Sequence, residues 1–135
     1  MNNEIQYSVC GSLQQEELGE LLRSAANSCY SASELESIIC KSTAYITASD
    51  SGRLVGFGRL LSDGAVIAYI NNMAVSPEYQ QQGIGKAILG RLVEAAGKVK
   101  SIFLYSDTAD LFYLNNGFHL SEKRLYVRRR EDENS

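Results

Sequence analysis

Residues 72–86 constrain the fold of this chain more than any other part of the sequence. They predict a strand that ends at Val75, a polar turn, and a glycine-bearing loop that opens directly into an amphipathic helix. The first amides of a helix have no intrahelical partners, and the helix dipole places positive charge at the same end. Gly83 and Gly85 keep side chains away from a ligand that approaches these amides. The segment therefore predicts an anion site, with phosphate as the expected anion.

Three phosphate-binding loop patterns can be compared with this segment. The nucleotide-triphosphate loop requires glycine, four residues, then Gly-Lys and a hydroxyl residue, but Ala87 follows the lysine here and Gln80 stands in place of the first glycine. The dinucleotide fingerprint requires three glycines, and Lys86 occupies the third position. The third pattern is Arg or Gln, two residues, Gly, one residue, then Gly or Ala. The sequence Gln80-Gln81-Gln82-Gly83-Ile84-Gly85 matches it fully.

This third pattern is the coenzyme A loop of the GCN5-related N-acetyltransferases, the GNAT family, and a second segment resembles the same family. Residues 109–118, Ala-Asp-Leu-Phe-Tyr-Leu-Asn-Asn-Gly-Phe, resemble its later signature: Ala, two residues, an apolar residue, Tyr, three residues, then Gly-Phe. One helix and one strand fit between the two segments. The resemblance extends from about residue 55 to residue 127. It implies one GNAT domain over residues 1–135, with a tail that frays from about residue 129.

The hydrophobic pattern and the resemblance predict an α/β fold, a mixed sheet with helices on both faces. The predicted strands β1 to β7 are residues 5–9, 43–48, 54–61, 66–75, 102–105, 118–120 and 124–127. The predicted helices α1 and α2 begin at capping boxes, Ser12 with Gln15 and Ser33 with Glu36; α3 begins in the glycine loop, and α4 covers residues 109–116. The predicted order is β1-α1-α2-β2-β3-β4-α3-β5-α4-β6-β7. The family implies a splayed gap between β4 and β5 that admits the coenzyme.

The resemblance implies acetyl-CoA as the co-substrate, with no metal. The implied coenzyme-binding residues are Gln80, Gln81, Gln82, Gly83, Ile84, Gly85 and Lys86 in the loop, Met73, Ala74 and Val75 on β4, and Ser106. A backbone amide near Met73 or Ala74 is expected to polarise the thioester carbonyl. Tyr113 stands where the family commonly has a tyrosine near the coenzyme sulfur, so it is the candidate general acid. Core packing is the alternative explanation for Met73 and Val75, and packing of the ring beneath the adenine or pantetheine is the alternative for Tyr113.

The sequence departs from the family pattern at two places. Ser106 stands where an asparagine often occurs, and the hydroxyl has a shorter reach. Predicted β4 offers Tyr69, Asn71 and Asn72 but no carboxylate that would serve as general base, so the base is unassigned. His119, the single histidine, is expected to face solvent or a neighbour rather than to act in catalysis.

The predicted function is transfer of the acetyl group of acetyl-CoA to a primary amine of a small molecule, by direct attack in a ternary complex. By analogy with the family, Tyr30, Tyr69 and Asn71 border the acceptor. One alternative is a protein or peptide lysine or N-terminal acceptor. Another is a non-catalytic acyl-CoA-binding regulatory module, which the missing carboxylate and Ser106 favour and Tyr113 opposes. Acids outnumber bases in residues 1–50; solvated helix faces explain this excess, and a cationic acceptor is the functional alternative.

Composition excludes several other classes of protein. The chain has 135 residues, 44% apolar and 21% charged, with a net charge of −3, as expected of one globular domain. No apolar run is long enough to span a membrane and Met1-Asn2-Asn3-Glu4 lacks a secretion signal, so a cytoplasmic location without a membrane partner is expected. Acids follow the basic run at 128–130 directly, which argues against nucleic acid. Cys10, Cys29 and Cys40 are expected to be reduced and partly buried. Relatives often dimerise, so a homodimer is the expected assembly if one forms.

Overall fold

The computed structural model describes residues 4–130, and the chain divides after Tyr105 into two compact units. The first contains a five-stranded sheet. The strands are β1 (Ile5–Val9), β2 (Ala44–Asp50), β3 (Arg53–Ser62), β4 (Ile67–Val75) and β5 (Ser101–Phe103). The helices are α1 (Gln15–Ala26), α2 (Ala32–Lys41), α3 (Ile84–Ala96) and, in the second unit, α4 (Asp110–Leu114), with a 3-10 turn at Pro77–Tyr79. The predicted start without a secretion signal and the predicted frayed end beyond residue 130 lie outside the described residues.

The five strands lie in the sheet in chain order, β1-β2-β3-β4-β5. The pairs β1–β2, β2–β3 and β3–β4 are antiparallel, and β5 is parallel to β4. A parallel neighbour requires a crossover connection, and α3 provides it. This mixed sheet confirms the predicted fold class.

β4 and β5 are paired at one end only. Their ladder begins where Ile67 pairs with Ser101 and ends where Tyr69 pairs with Phe103. β4 continues beside β3 as far as Val75, and no other strand of the described chain pairs with this part of its free edge. The predicted gap between β4 and β5 is therefore confirmed. Backbone groups on the free edge are available to another extended chain.

One face of the sheet packs against α1 and α2. Tyr45, Phe57 and Ala74 form a buried cluster with apolar side chains of the two helices. The ring centroids of Tyr45 and Phe57 are 5.7 Å apart. Alternate residues of a strand point to opposite faces, so Arg59, two residues beyond Phe57, points to the same side of β3.

The opposite face packs against α3 at unusually close range. A Cβ atom added at Gly58 would lie 2.6 Å from Met73 Sδ, 2.9 Å from Leu92 Cδ1 and 3.0 Å from Ile88 Cγ2. Ile88 and Leu92 are fully buried. Glycine on β3 is therefore what allows α3 to reach the sheet at this point.

The two strands predicted at the end of the chain are not formed. Residues 118–130 contain no strand, and the described sheet has five strands instead of seven. Leu120 and Tyr126 are 83% and 86% exposed. Alternating apolar residues favour an extended backbone, but a strand also needs a neighbour to accept and donate ladder hydrogen bonds.

The prediction that the cysteines are partly buried is wrong. Cys10, Cys29 and Cys40 are free and exposed. Cys10 follows the end of β1, Cys29 lies between α1 and α2, and Cys40 lies in the last turn of α2. These are positions at the ends of elements, where no second layer covers a small side chain. His119 is exposed as well, as predicted.

Candidate functional site

Residues 76–83 join β4 to α3, and together with the first turn of α3 they form the segment predicted to bind an anion. The backbone is left-handed at Gln81, with φ 63°, and at Gly83, with φ 85°. The hydrogen bond from Ala87 N–H to the Gly83 carbonyl, 3.0 Å long, closes the first turn of α3. The amides between these two residues come before that bond and have no partner within the helix. They lie at the positive end of the helix dipole.

The glutamine side chains of the loop hold its own backbone. The Gln80 side-chain amide donates to the Val75 carbonyl at 3.0 Å. The Gln82 side-chain amide donates to the Glu78 carbonyl at 3.3 Å. The side chains of Gln80 and Gln82 therefore brace the loop.

The remaining side chains of the loop differ in how deeply they are buried. Ile84 is buried in the core, whereas Gln81 and Lys86 are exposed. A Cβ atom added at Gly83 would meet nothing within 4 Å. The loop is therefore fixed by Ile84 and open beside Gly83, as an anion site requires.

β4 contains a bulge beside the residues predicted to border the coenzyme. The β3–β4 pairing shifts register, so that Asn72 and Met73 both lie opposite Gly58. Asn72 has φ 57°, a left-handed conformation that asparagine tolerates better than most residues. The Met73 side chain contacts the α3 side of the sheet at Gly58. Met73, Ala74 and Val75 follow the bulge along the free edge of β4, where the sequence places them.

The predicted acceptor residues lie close together near this bulge. Tyr30, between α1 and α2, accepts a hydrogen bond from the Asn72 side-chain amide at 2.9 Å. The Tyr69 ring stacks on Phe103 at 5.1 Å and on Tyr105 at 5.8 Å. Burial, followed by a hydrogen bond with Tyr105, raises the pKa of the Tyr69 phenol. The Tyr69 phenol therefore holds its proton at physiological pH and does not replace the missing carboxylate, and its role toward the acceptor stays a prediction.

Arg59 belongs to the same cluster and was missed by sequence reasoning. It pairs with Asn71 in the β3–β4 ladder. Burial lowers the pKa of its guanidinium, and the phenols of Tyr30 and Tyr69 are near enough to oppose that shift. Its Nη1 donates to Ser42 Oγ at 3.4 Å, while Nε is buried without a hydrogen-bond partner. The signal in the sequence was a single arginine within the apolar run of residues 54–61.

Tyr113 and Ser106 belong to the second unit. The Tyr113 ring packs edge-on against Phe112 and Phe118, with centroids 5.0 and 5.9 Å apart. Burial raises the pKa of its phenol. The Ser106 hydroxyl accepts a hydrogen bond from the Ala109 amide at 3.0 Å. The roles of both residues toward the coenzyme stay predictions.

Within residues 4–130, no group of three or more His, Cys, Asp or Glu side chains is placed to hold a metal ion. Each helix in the same range is too short or too polar to cross a lipid bilayer.

A family model described as an acetyltransferase (GNAT) domain matches residues 41–120, more than half of the chain. The protein named GCN5-related N-acetyltransferase 2, chloroplastic, from Arabidopsis thaliana is 35% identical over 108 residues. That alignment covers 72% of this chain and 42% of the plant protein. The chain therefore spans less than half the length of this curated relative.

Solved structures share the fold across nearly the whole chain. A probable acetyltransferase, SA2161, from meticillin-resistant Staphylococcus aureus superposes with a TM-score of 0.83 at 23% identity, covering 93% of this chain and 100% of that one. An aminoglycoside N-acetyltransferase, AAC(6')-Iy, in complex with CoA superposes with a TM-score of 0.74 at 13% identity, covering 96% and 97%. At these identities the likeness shows the fold alone.

Proposed function

The chain belongs to the GNAT acetyltransferase family, and on that premise we propose that it transfers the acetyl group of acetyl-CoA to a primary amine of a small molecule. The amine attacks the thioester directly in a ternary complex. The observation that best supports this proposal is the direct continuity between the free edge of β4 and the open loop before α3. A ligand with an extended amide-bearing arm and a pyrophosphate suits both features together.

The proposed coenzyme contacts follow from this continuity. The amides from Gln81 to Lys86 bind the pyrophosphate, and the exposed Lys86 ammonium adds positive charge. The pantetheine arm pairs with the backbone of β4 at Met73, Ala74 and Val75. A solved structure with the same fold, AAC(6')-Iy, is a complex with CoA, and the acetyl group on the coenzyme is part of the proposal.

The proposed chemistry needs one bond to form and one to break. The amine nitrogen attacks the acetyl carbonyl carbon, and an amide near Met73 or Ala74 stabilises the oxygen as negative charge develops. The C–S bond then breaks, its electron pair leaves on sulfur, and the Tyr113 hydroxyl donates a proton to the thiolate. The surplus proton of the attacking amine passes to water, because Tyr69, Asn71 and Asn72 offer no carboxylate, and water returns a proton to the Tyr113 oxygen, which closes the cycle.

A small acceptor is supported by the way the α1–α2 connection covers β4. Tyr30 reaches across to Asn72, and the Tyr69 ring is half-buried against Phe103. Aromatic walls of this kind enclose a compact molecule more readily than they accommodate a folded protein surface. A peptide lysine remains the alternative acceptor, and the experiment below includes it.

Thiol release from acetyl-CoA tests the proposal directly. The purified chain is incubated with acetyl-CoA and a panel of amino acids, aminophosphates, aralkylamines, polyamines and a lysine peptide. We expect release that depends on a small amine. Release with the peptide alone would favour the protein-modifying alternative. Tight binding of acetyl-CoA with no release from any amine would favour a non-catalytic binding module.

Two glycine variants test the coenzyme loop within the same assay. Gly83 and Gly97 flank α3, both have positive φ, and a Cβ atom at either would meet nothing within 4 Å. Gly83→Ala and Gly97→Ala therefore both strain the backbone without a clash. We expect only Gly83→Ala to raise KM for acetyl-CoA, by about tenfold, because only that methyl group intrudes on the anion site. Equal KM values for the two variants would contradict the loop assignment.

A further inference from the structure

Among the described residues, the partly buried cation Arg59 has no anionic partner. The ion pairs found among the described residues are Arg23 with Glu20 and Arg53 with Glu78, both on the surface. The one hydrogen bond of the Arg59 side chain goes to the neutral hydroxyl of Ser42, at 3.4 Å. Its Nε–H is shielded from solvent and donates to nothing within residues 4–130.

A partly buried charge without a partner destabilises the fold unless another group compensates for its lost hydration. Taking part of a guanidinium out of water without giving it an acceptor is unfavourable, whereas an apolar side chain of similar size carries no such cost. The neighbouring residues of β3 are leucine and glycine, so an apolar residue would fit the strand. The titratable groups close enough to influence the charge of Arg59 are the hydroxyls of Tyr30 and Tyr69, and neither residue carries a carboxylate.

A second unpaired group lies in the same cluster. Asn72 Oδ1 is buried and accepts no hydrogen bond from the described residues, while its Nδ2 donates to Tyr30. Tyr30 is also close enough to influence the Arg59 guanidinium. One unused donor, Arg59 Nε, and one unused acceptor, Asn72 Oδ1, therefore belong to side chains that both lie near the Tyr30 phenol. The cluster lacks one acceptor and one donor, the two kinds of group that an anionic amine carries.

We propose that the acceptor amine carries an anionic group, a carboxylate or a phosphate, and that Arg59 binds this group. The proposal rests on the proposed function, because it names the class of amine that the site takes. Arg59 pairs with Asn71 on β3–β4 and approaches both Tyr30 and Tyr69, the residues expected to border the acceptor. The guanidinium fork matches the oxygens of either anion with two parallel hydrogen bonds. Tyr69 supplies the adjoining aromatic wall.

An anionic acceptor is the opposite of the cationic acceptor that the acidic charge of residues 1–50 suggests. The acid excess of residues 1–50 raised a cationic acceptor as an alternative. The described structure places a cation, Arg59, beside the expected acceptor residues instead. Local charge within the site outweighs the net charge of distant solvated helix faces, since solvent and salt screen the latter.

Matched pairs of amines test the proposal on the unmodified protein. Phenylalanine is compared with phenylalaninamide, and O-phosphoethanolamine with ethanolamine, by thiol release from acetyl-CoA. Each pair keeps the amine and removes the anion. We expect kcat/KM to be at least tenfold higher for the anionic member of one pair, and the pair that responds distinguishes carboxylate from phosphate.

Variants of Arg59 identify the residue responsible. Arg59→Met keeps the length of the stem and removes the charge, and Arg59→Lys keeps the charge without the fork. We expect Arg59→Met to raise KM for the preferred anionic amine at least tenfold, with kcat changed less than threefold and the neutral amine unaffected. The KM of Arg59→Lys for the anionic amine should lie between the values for the wild type and for Arg59→Met. Arg23→Met, which removes an exposed arginine of α1, is the control and should leave all four amines unchanged.

The outcomes separate this inference from the proposed function. Thiol release that is equal for both members of each pair, or greater for the neutral member, overturns the anionic acceptor and leaves the acetyltransferase in place. The anionic acceptor is also overturned if Arg59→Met keeps the wild-type preference for the anionic amine while circular dichroism shows that the variant is folded. Absence of release with every amine overturns the proposed function, and this inference with it.

Discussion

Tyr113 is the single side chain on which the proposed proton transfer depends. Its phenol is neutral at physiological pH, and burial raises the pKa above the ordinary value near 10. A raised pKa keeps the proton in place but makes the phenol a weaker acid. Donation is therefore expected as negative charge develops on sulfur, and not before the C–S bond weakens.

Replacing this hydroxyl separates chemistry from binding. We expect Tyr113→Phe to lower kcat at least tenfold, a loss of about 1.4 kcal/mol in transition-state stabilisation. KM for acetyl-CoA should change little, because the ring remains to pack against Phe112 and Phe118. In the wild type, the part of kcat that depends on Tyr113 should persist to about pH 9 and fall only as the pH approaches the raised pKa. Steady-state kinetics across pH measure both effects.

Tyr7→Phe is the matched control for that variant. Tyr7 lies on β1 beneath the Arg91 guanidinium, 4.2 Å from the ring centroid, and has no part in the proposed reaction. Tyr7→Phe removes a phenol hydroxyl and keeps the ring, as Tyr113→Phe does. Wild-type turnover in Tyr113→Phe would remove Tyr113 from the mechanism, whatever the control shows.

Single residues differ in how far the sequence reveals them. The loop from Gln80 to Gly85 is recognisable because its function depends on backbone geometry, which requires glycine at fixed spacing. Arg59 has no such motif. Its neighbours Tyr30 and Tyr69 are brought near it by strand register and by the α1–α2 connection, and pairing between distant segments is not visible in local sequence.

At the scale of elements, the closest packing is between β3 and α3. Gly58→Ala places a methyl group 2.6 Å from Met73 Sδ and 2.9 Å from Leu92 Cδ1. Ile88 and Leu92 are branched and fully buried, so they have little freedom to move aside. We expect Gly58→Ala to lower the free energy of unfolding by about 1–3 kcal/mol, as overpacking of a core does. Denaturant titration measures this change.

A glycine-to-alanine substitution on α3 is expected to change the free energy of unfolding in the opposite direction. Gly90 is exposed within the helix, and a Cβ atom there would meet nothing within 4 Å. Gly90→Ala should raise the free energy of unfolding by about 0.5–1 kcal/mol through helix propensity alone. If Gly58→Ala were also stabilising, the close approach of α3 to β3 would be wrong.

Element types were predicted better than the details at their ends. β1 to β5 and the four helices follow the predicted order, because hydrophobic period distinguishes strand from helix. The predicted capping box of α1, Ser12 with Gln15, is wrong, because the N-cap is Gln14 and its side chain caps nothing. The capping box of α2 was placed two residues late, at Ser33 and Glu36. In the structure Ser31 Oγ accepts from the Glu34 amide at 3.1 Å, and the Ser31 amide donates to Glu34 Oε1 at 2.8 Å. Both pairs have the required spacing, so the packing of α2 decides between them.

The prediction of two strands at the end of the chain was wrong, and the reason also concerns whole elements. The segment of residues 124–127 has the alternation of a strand, and yet Leu125 and Tyr126 are exposed. Alternation reports only that a segment is able to form a strand. Whether it does so depends on a free sheet edge in register, which local sequence does not encode.

At the scale of the whole molecule, the question is whether the two units unfold together. The first unit holds the sheet, α1, α2, α3 and the coenzyme loop, whereas the second holds α4 and Tyr113. The second is too small to bury a core of its own, since chains below about 40 residues seldom fold without a partner, a metal or disulfides. We therefore expect the chain to behave as one domain, as its sequence predicts.

Calorimetry of the full chain tests that expectation together with the coenzyme site. A single transition is expected, with equal calorimetric and van't Hoff enthalpies. Acetyl-CoA at about 100 times its Kd should stabilise the protein by about 2.7 kcal/mol and raise Tm by on the order of 10 °C. ATP at the same concentration is the control for a generic nucleotide loop and should shift Tm far less, because it offers no arm to pair with the free edge of β4. Two separate transitions would contradict the single domain, and an equal shift with ATP would contradict the assignment of the loop to coenzyme A.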